Sequence, residues 1–551
     1  MSRYDEPDLM AGMFEVEQDR YPMAPEQKGL KRDLRLRHMI MIAISGTIGT
    51  GLFLTSGIII QQAGPAGALL AYFLVGVWLV FVSQAIGEIA TLLPLPGAFN
   101  AWGARVFDEA FSFQMTWMYF INWALTIPAE LSAAAVIVGF WLPEGSHFHT
   151  WIVPLIGIVL MIFINLAGVK TYGELEYWFS ILKVVTIIMF IVCAILVDAG
   201  ALGGVTYGMK SWSVPGAPFN NGFTGFLKTF VAVGYSYGGT ELTGVTAAES
   251  RNPHKHVPKA VNLVAFRIVF FYIASIFLLG NILAVNSPEL VGENGSAATA
   301  PFTVVFAHAG IKGAANFMNS VVFISVFSTV NSDFYVSTRM LLSLARNGWA
   351  PSIVGYTNVR GVPVVAVVIV TLFSCLSLIT VFVASGIVFS WLISILGAYD
   401  FQVWIFILLL HFRFRYCWKS QDRHVQELPY VSWGYPYGNI VATVIGFCCI
   451  LATLYLSFID FPTNPGPDAS SDAIESYKSS VGLWARNFLG AWFPWVSSAI
   501  LYFSYKFIKG TKIVKAEEAD LDTGRFVPTE SDKADLAAHR SWRKKLMDFI
   551  L

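Results

Sequence analysis

The stretch AISGTIGTGLFL at residues 43–54 lies inside a long apolar run, yet its centre carries three glycines and two threonines. Glycine weakens a helix, and backbone freed at membrane depth is tolerated only where it lines a cavity or is buried in protein. The stretch therefore predicts two half-helices with an open joint. The N–H groups that start the second half lie at the positive end of a helix dipole, where a carboxylate can bind.

A second interrupted segment, GYSYGGTELTG at residues 234–244, follows five hydrophobic segments later. Two broken helices at corresponding places in two halves of a membrane protein indicate the binding site of a transporter. Close helix packing through small residues is the alternative explanation for the glycines. Two clusters at corresponding positions favour binding over packing alone.

The composition indicates an integral membrane protein. The 551 residues are 55% hydrophobic and 13% charged, which is too little charge to cover a soluble chain of this length. The formal net charge is zero, so nothing favours a nucleic-acid partner. The five cysteines are scattered without metal-ligand spacing and are expected to be apolar packing residues. We expect no metal site and no other cofactor.

Apolar runs long enough to cross a bilayer of roughly 30 Å recur about twelve times. They predict a transmembrane domain over residues 38–508, between a polar tail at 1–37 and another at 509–551. Residues 536–551 could form an amphipathic helix at the membrane surface or continue a solvated tail. The predicted spans are 38–62, 67–93, 113–141, 150–168, 175–198, 223–247, 260–285, 313–342, 362–384, 387–411, 438–459 and 482–508.

Lysine and arginine are concentrated in one set of loops, which includes Arg105, Lys170 and the cluster from Arg251 to Lys259. Positively charged loops stay in the cytoplasm. Both tails are therefore predicted to be cytoplasmic. The sequon at Asn294 lies in a loop on the opposite, outer side, where it predicts a glycosylation site.

Several longer blocks of sequence carry a family resemblance. They are SGTIGTGLFL (45–54), YSYGGTELTGVTAAESRNPHKHVPKA (235–260) and NSDFYVSTRMLLSLARNGWAP (331–351), with shorter blocks at 93–99, 173–184, 389–397 and 411–415. The chain resembles the fungal plasma-membrane amino-acid permeases of the amino acid–polyamine–organocation superfamily.

The resemblance implies an all-α integral membrane protein with about twelve transmembrane helices. Two inverted five-helix repeats would occupy residues 38–198 and 223–411, with helices one and six broken, and two peripheral helices would follow at 438–508. The resemblance also implies proton-coupled import of amino acids across the plasma membrane.

An amino acid presents a carboxylate and an ammonium group, and each broken helix suits one of them. Free N–H groups on the first break are predicted to hold the carboxylate, and free carbonyls on both breaks are predicted to accept from the ammonium. Two short motifs, GTG at 49–51 and YSYGG at 235–239, fall on the superfamily's substrate-binding turns. The residues predicted at the two breaks are Thr47, Thr50, Gly51, Leu52, Tyr235, Gly238 and Gly239.

Tyr235 also resembles the superfamily's aromatic gate, a ring that covers the substrate from one side. Tyr237 is the second candidate for this gate.

Ionisable residues deep inside a span are candidates for function. Lys183 falls where some family members place a lysine against the first helix. Burial disfavours its charge, so it could gain and lose a proton during transport, with no need for sodium. The alternative is a structural lysine that donates to backbone carbonyls of the first helix.

Three glutamates also lie within predicted spans. Glu241 could bind a proton, or it could accept from N–H groups freed by the break in the sixth span. Glu130 could contact the substrate or pair within the helix bundle. Glu88, near the inner end of the second span, is expected to pair with a basic residue of a loop.

Two aspartates make the chain less typical of the family. Asp333 lies near the place where the superfamily pattern lines the site, and Asp400 replaces the serine or threonine of comparable relatives. An aspartate inside a span is costly unless it is paired. Asp400 could select a cationic side chain by ion pairing in a cavity of low dielectric, or it could pair with a base such as Arg339. Transport of lysine and arginine and broad-range transport both fit these residues.

The main functional prediction is an amino-acid importer with a proton as co-substrate and the lipid bilayer as its environment. The leading alternative is an amino-acid sensor of the same fold with little transport. A membrane enzyme would need a nucleophile–base pair or a metal set at one depth, and the sequence shows neither. By analogy with related permeases, Lys28 and Lys31 are candidate sites for ubiquitin-ligase machinery.

Overall fold

The structure of the protein is a computed structural model. It describes residues 36, 39–41 and 48–527, apart from 96, 144–146, 168, 251, 288–289, 291–299, 359–360, 460 and 463–470. Over these residues the chain is helical and forms no β-strand. The predictions made for Thr47, Asn294, Lys28 and Lys31 lie outside the described residues.

The α-helices are numbered in chain order. Those of the first half are α1 (Thr50–Phe53), α2 (Thr55–Leu92), α3 (Phe99–Val106), α4 (Glu109–Gly139), α5 (Ile152–Ala167) and α6 (Val169–Asp198). Those of the second half are α7 (Gly222–Lys228), α8 (Phe230–Tyr237), α9 (Leu242–Val245), α10 (Pro253–Arg267), α11 (Ala274–Ile282), α12 (Pro301–His308), α13 (Ala314–Arg346), α14 (Val364–Ser374) and α15 (Ser385–Ser420). The last two are α16 (Tyr437–Ile459) and α17 (Ser471–Lys509).

Tighter or wider turns link or extend several of these helices. The 3₁₀ segments are Gly208–Trp212, Thr246–Glu249, Ser352–Gly355, Cys375–Val381, Val425–Glu427 and Ala516–Glu518, and a π-helical turn, Ile268–Ile273, joins α10 to α11.

The order of the helices agrees with the predicted fold class. A broken helix, α1 with the start of α2, is followed by four spanning segments, and a second broken helix, α8 with α9, is followed by four more. Within the described chain, eight helices are long and apolar enough to cross a membrane. Phe163 and Leu372 are 70% and 66% exposed on the outside of this bundle, as expected for side chains that face lipid. The chain is a multi-pass membrane protein.

Helix α2 contains the end of the first predicted span and the whole of the second. Gly64, with φ of 76°, divides them ahead of Pro65. A side chain at this glycine would lie 2.4 Å from the carbonyl oxygen of Pro218. The close approach of the 218–220 loop and the positive φ together explain why the chain needs glycine at this turn.

Both predicted helix breaks are present. Gly49 has non-helical dihedral angles immediately before α1. Helix α8 ends at Tyr237, Gly239 has a φ of 81°, and α9 begins at Leu242. The two breaks touch, because a Cβ built on Gly51 would lie 2.5 Å from the Cα of Ser236.

The segment that links the second and third spans forms the short helix α3. Gly97, with φ of 77°, turns the chain before this helix. The buried indole of Trp102 then donates to the carbonyl of Leu93 at 2.8 Å. This bond fastens α3 beneath the end of α2.

Glu88 has a basic partner, as the sequence predicted, but this partner lies in helix α15 and not in a loop. The Arg415 guanidinium on α15 lies 2.5 Å from its carboxylate. His411 contacts the same carboxylate at 2.9 Å, and the backbone N–H of Ser432 donates to it at 2.7 Å. Removing either partner of such a buried pair leaves an uncompensated charge, so this cluster joins α2 firmly to α15.

The chain that follows α17 is not simply a solvated tail. Leu521 and Phe526 are fully buried or nearly so against the helices. The remainder of the tail, with the candidate amphipathic stretch at 536–551, lies outside the described residues.

We expect Gly51→Ala to destabilise the protein by about 1–3 kcal/mol, because its methyl group would collide with backbone rather than with a movable side chain. The measurement is heat or denaturant unfolding in detergent. Gly482→Ala is the matched control, since nothing lies within 4 Å of a Cβ there and α17 would gain helix propensity. Equal stability of the two variants would contradict the contact between the breaks.

Candidate functional site

A cavity lined by several polar side chains lies where the two broken helices meet. The first break contributes Gly49 and Gly51, and the second contributes Tyr235, Gly238 and Gly239. Helices α4, α13 and α15 close the other sides. Their lining residues are Asn122, Trp123, Thr126, Glu130, Thr329, Asp333 and Asp400.

Most residues predicted to bind substrate are brought together here. Gly51, Glu130, Tyr235, Gly238, Gly239, Asp333 and Asp400 all line the cavity. Two other residues predicted to bind substrate lie beside the cavity, and their polar groups form hydrogen bonds within the protein. The Leu52 N–H donates to the Gly49 carbonyl at 3.2 Å within the first turn of α1, and the Thr50 hydroxyl bonds to other side chains.

Thr50, Glu130 and Tyr235 form a closed triangle of hydrogen-bonding oxygens. Thr50 Oγ1 donates to Glu130 Oε1 at 2.8 Å, and the Tyr235 hydroxyl donates to the same oxygen at 2.9 Å. The two hydroxyl oxygens lie 2.8 Å apart. Glu130 thus pairs within the helix bundle, where it links the two broken helices, and it also lines the cavity.

Asp400 is held by a neutral partner. The side-chain amide of Asn122 donates to its Oδ1 at 2.8 Å. Arg339, the alternative partner, points elsewhere, with its guanidinium 5.0 Å from the Tyr335 ring centre and 3.4 Å from the Gly361 carbonyl. No lysine or arginine in the described part of the chain forms an ion pair with Asp400.

Lys183 is buried behind the cavity wall rather than in it. Its ammonium donates to the hydroxyl of Thr329 at 3.4 Å, and Thr329 itself lines the cavity. Glu176, Glu130 and Asp333 are close enough to act on its charge. The alternative role, donation to carbonyls of the first helix, involves a span in which residues 42–47 lie outside the described chain.

Glu241 lies beneath the second break but does not cap the helix that follows it. Its Oε2 accepts from the indole N–H of Trp404 at 3.2 Å. The carboxylate is therefore bound by a side chain of α15.

Of the two tyrosines considered as a gate, only Tyr235 borders the cavity. The Tyr237 hydroxyl donates to the Tyr72 carbonyl at 3.1 Å, and its ring packs 4.5 Å from that of Tyr272. Tyr237 is thus a packing residue between α8, α2 and the π-helical turn.

Sequence reasoning missed four side chains of the cavity, namely Asn122, Trp123, Thr126 and Thr329. A signal for them was available. Asn122, Thr126 and Glu130 are spaced by four residues, as are Thr329 and Asp333, and residues four apart share one face of a helix. A known cavity residue such as Glu130 could therefore have identified its neighbours on the same helix.

Broken membrane helices around a central polar cavity define the class of multi-pass membrane transporters. A family model described as amino acid permease matches residues 38–493. The lysine-specific permease LysP of Lactococcus lactis is 40% identical over 502 residues, 89% of this chain and 93% of that protein.

Two further relatives point the same way. The histidine permease HisP of Lactococcus lactis is 38% identical over 496 residues, 90% of this chain and 98% of that protein. Cationic amino acid transporter 1 of Schizosaccharomyces pombe is 34% identical over 525 residues, 94% of this chain and 86% of that protein. The chain belongs to the amino acid permease family, so it is a transporter protein and not an enzyme.

Proposed function

We propose that this permease imports basic amino acids together with protons across the plasma membrane, by alternating access around the cavity. The observation that carries the substrate assignment is Asp400, a buried carboxylate that lines the cavity and whose hydrogen-bond partner among the described residues is the Asn122 amide. A buried charge without a counter-ion is costly, and a cationic side chain of the substrate would supply one. Two relatives named for lysine and for cationic amino acids support this assignment.

The backbone of the substrate would bind at the breaks. Its carboxylate is assigned to the N-terminal end of α1 near Thr50 and Gly51, where the helix dipole is positive. Its ammonium is assigned to the C-terminal end of α8, next to Gly238 and Glu130. In this arrangement Tyr235 covers the substrate from one side.

The triangle of oxygens formed by Thr50, Glu130 and Tyr235 supports proton coupling, because it contains more oxygen–oxygen contacts than hydroxyl hydrogens to fill them. Three oxygen–oxygen contacts of 2.8–2.9 Å join Thr50, Glu130 and Tyr235, but the two hydroxyl groups supply only two hydrogens. A proton on the Glu130 carboxyl would complete a cyclic set of three hydrogen bonds. Lys183 and Glu241 are the other proposed proton-binding groups, and both are buried close to the breaks.

In transport, the two broken helices and the helices packed on them would move relative to the rest of the bundle. The distribution of basic loops supports an orientation in which substrate enters from the outer side and both tails lie in the cytoplasm.

We expect Asp400→Asn to raise the KM for lysine by roughly ten- to a hundredfold and to leave the KM for leucine nearly unchanged. The reason is the loss of a charge-assisted hydrogen bond. Uptake of both amino acids into liposomes containing the purified protein is the measurement. Asp198→Asn is the control, because this carboxylate binds the N–H of Gly208 at the end of α6, away from the cavity.

An equal effect on both amino acids would contradict a role for Asp400 in side-chain selection. Absence of uptake or exchange of any amino acid by the folded wild-type protein would contradict the transport proposal itself and favour the sensor.

We expect Lys183→Met to abolish accumulation driven by an acidic exterior, because the proton acceptor behind the cavity is lost. Sodium-free liposomes with a pH gradient provide the measurement. Exchange of labelled for unlabelled lysine, which needs no net proton movement, should persist and serves as the control for folding. Acid-driven accumulation at the wild-type level would show that Lys183 is not part of the coupling.

A further inference from the structure

We propose that Asn122 is a specificity-determining residue, which orients the Asp400 carboxylate so that one of its oxygens can receive a cationic side chain. This inference rests on the proposed function and extends it to a residue of α4 that carries no charge. Both side chains are almost fully buried, and both line the cavity.

The bond between them fixes one oxygen and leaves the other available. Asn122 Nδ2 donates to Asp400 Oδ1 at 2.8 Å. The second oxygen, Oδ2, faces Gly238, where a Cβ would lie only 2.8 Å from it. The absence of a side chain at Gly238 leaves the space beside this oxygen open.

The chemical type of the donor also matters. An arginine or lysine in place of Asn122 would hold the carboxylate equally well but would neutralise its charge. A neutral amide supplies the hydrogen bond and preserves the negative charge for the ligand. The same side chain offers a second acceptor, because Asn122 Oδ1 has no hydrogen-bond partner among the described residues.

This end of the cavity therefore presents acceptor oxygens from Asp400 and Asn122, close to the C-terminal end of α8. An ammonium group carries three donors and no acceptor, so a lysine side chain matches this set. A neutral aliphatic side chain would leave the acceptors unsatisfied, which is how a site discriminates against an analogue that lacks the donor.

The test is Asn122→Leu, which keeps the approximate size of the side chain and removes its hydrogen bonds. We expect the KM for lysine to rise about tenfold while the KM for leucine stays within about twofold of the wild type. Gln114→Leu is the matched control, since this buried amide lies on the same helix but donates to Ser498 at 2.6 Å, outside the cavity. Asn122→Ser, which retains a donor, should recover part of the lysine affinity.

A parallel loss of lysine and leucine transport in both Asn122 variants would overturn the inference, because it would indicate a general structural role. An unchanged KM for lysine would overturn it too. If the wild-type protein itself does not transport lysine, the proposed substrate class fails before Asn122 is tested, so the two failures are distinguishable.

Residues 513–527, which we call the strap, make a different set of contacts that supports a second inference. We propose that the strap is a brake that joins the helices beside the breaks to the rest of the bundle and must loosen when the cavity opens toward this face. It rests on the alternating-access part of the proposed function. The face in question carries Arg105, Arg413 and Arg423, which the charge pattern assigns to the cytoplasm.

One part of the strap is fixed to α3 and to the end of α15. The Val514 N–H donates to the Phe107 carbonyl at 2.8 Å, and Arg413 donates to the Val514 carbonyl at 2.6 Å. Gln421 donates to the Ala519 carbonyl at 2.8 Å. Arg423 binds both carboxylate oxygens of Asp522 and lowers the pKa of that group, so the pair stays ionised at neutral pH.

The other end of the strap is fixed to α2 and α10. The Phe526 N–H donates to the carbonyl of Leu92, the last residue of α2, at 2.8 Å. The Phe526 ring stacks on that of His254 in α10, with ring centres 4.1 Å apart. Helix α2 packs on α8 and α10, so this end of the strap belongs to the group of helices that contains the second break.

Movement of that group relative to α3 and α15 would have to break contacts at one end of the strap, in addition to the Glu88–Arg415 pair that joins α2 to α15. Weakening the strap should therefore speed the transport cycle without changing the substrate site. We expect Phe526→Ala to raise the maximal rate of lysine exchange about three- to tenfold with an unchanged KM. Val527→Ala, at a neighbouring residue that is 47% exposed, is the matched control.

A second variant, Asp522→Asn, loosens the opposite end of the strap at an exposed position that cannot disturb the core, and the same direction of change is expected. A lower or unchanged exchange rate in both variants would overturn the inference and leave the strap as a structural brace. Absence of exchange by the wild-type protein would instead count against the proposed function.

Discussion

The architecture depends on one constraint, namely that backbone polar groups within a membrane must be paired or must line a protected cavity. The chain interrupts two helices in the middle of the bundle, at Gly49–Gly51 and between Tyr237 and Leu242. It then places the two interruptions against each other. Contact between Gly51 and Ser236 is close enough that no side chain fits at the glycine. The backbone polar groups freed by the two breaks therefore lie together, and the cavity forms beside them.

A second constraint follows from the first, because the cavity is surrounded by acidic side chains in a low dielectric. Glu130, Asp333 and Asp400 line it, and each is buried. Such groups need hydrogen bonds, protons or cations to be stable there. The contacts of Glu130 with two hydroxyls and of Asp400 with an amide supply donors without supplying positive charge. A cationic substrate and a coupled proton would supply the positive charge that these contacts lack.

The basic face of the molecule shows the opposite arrangement, in which charges are paired within the protein. Glu88 with Arg415 joins α2 to α15, and Asp522 with Arg423 joins the strap to the end of α15. These contacts join parts of the protein that alternating access would move relative to one another. Charge is thus left unpaired where a ligand is expected and is paired where helices meet on the basic face.

The sequence by itself determined the membrane class and both helix breaks, because hydropathy and clustered glycines are local signals. It also identified Glu130, Asp333 and Asp400, since ionisable groups inside apolar runs are conspicuous, and the family resemblance identified Tyr235. It could not determine partners across the bundle, because contacts such as Asn122 with Asp400 and Thr50 with Glu130 join residues far apart in sequence. Only the tertiary structure placed Tyr237 outside the cavity, Lys183 behind its wall, and the polar chain after α17 against the helices.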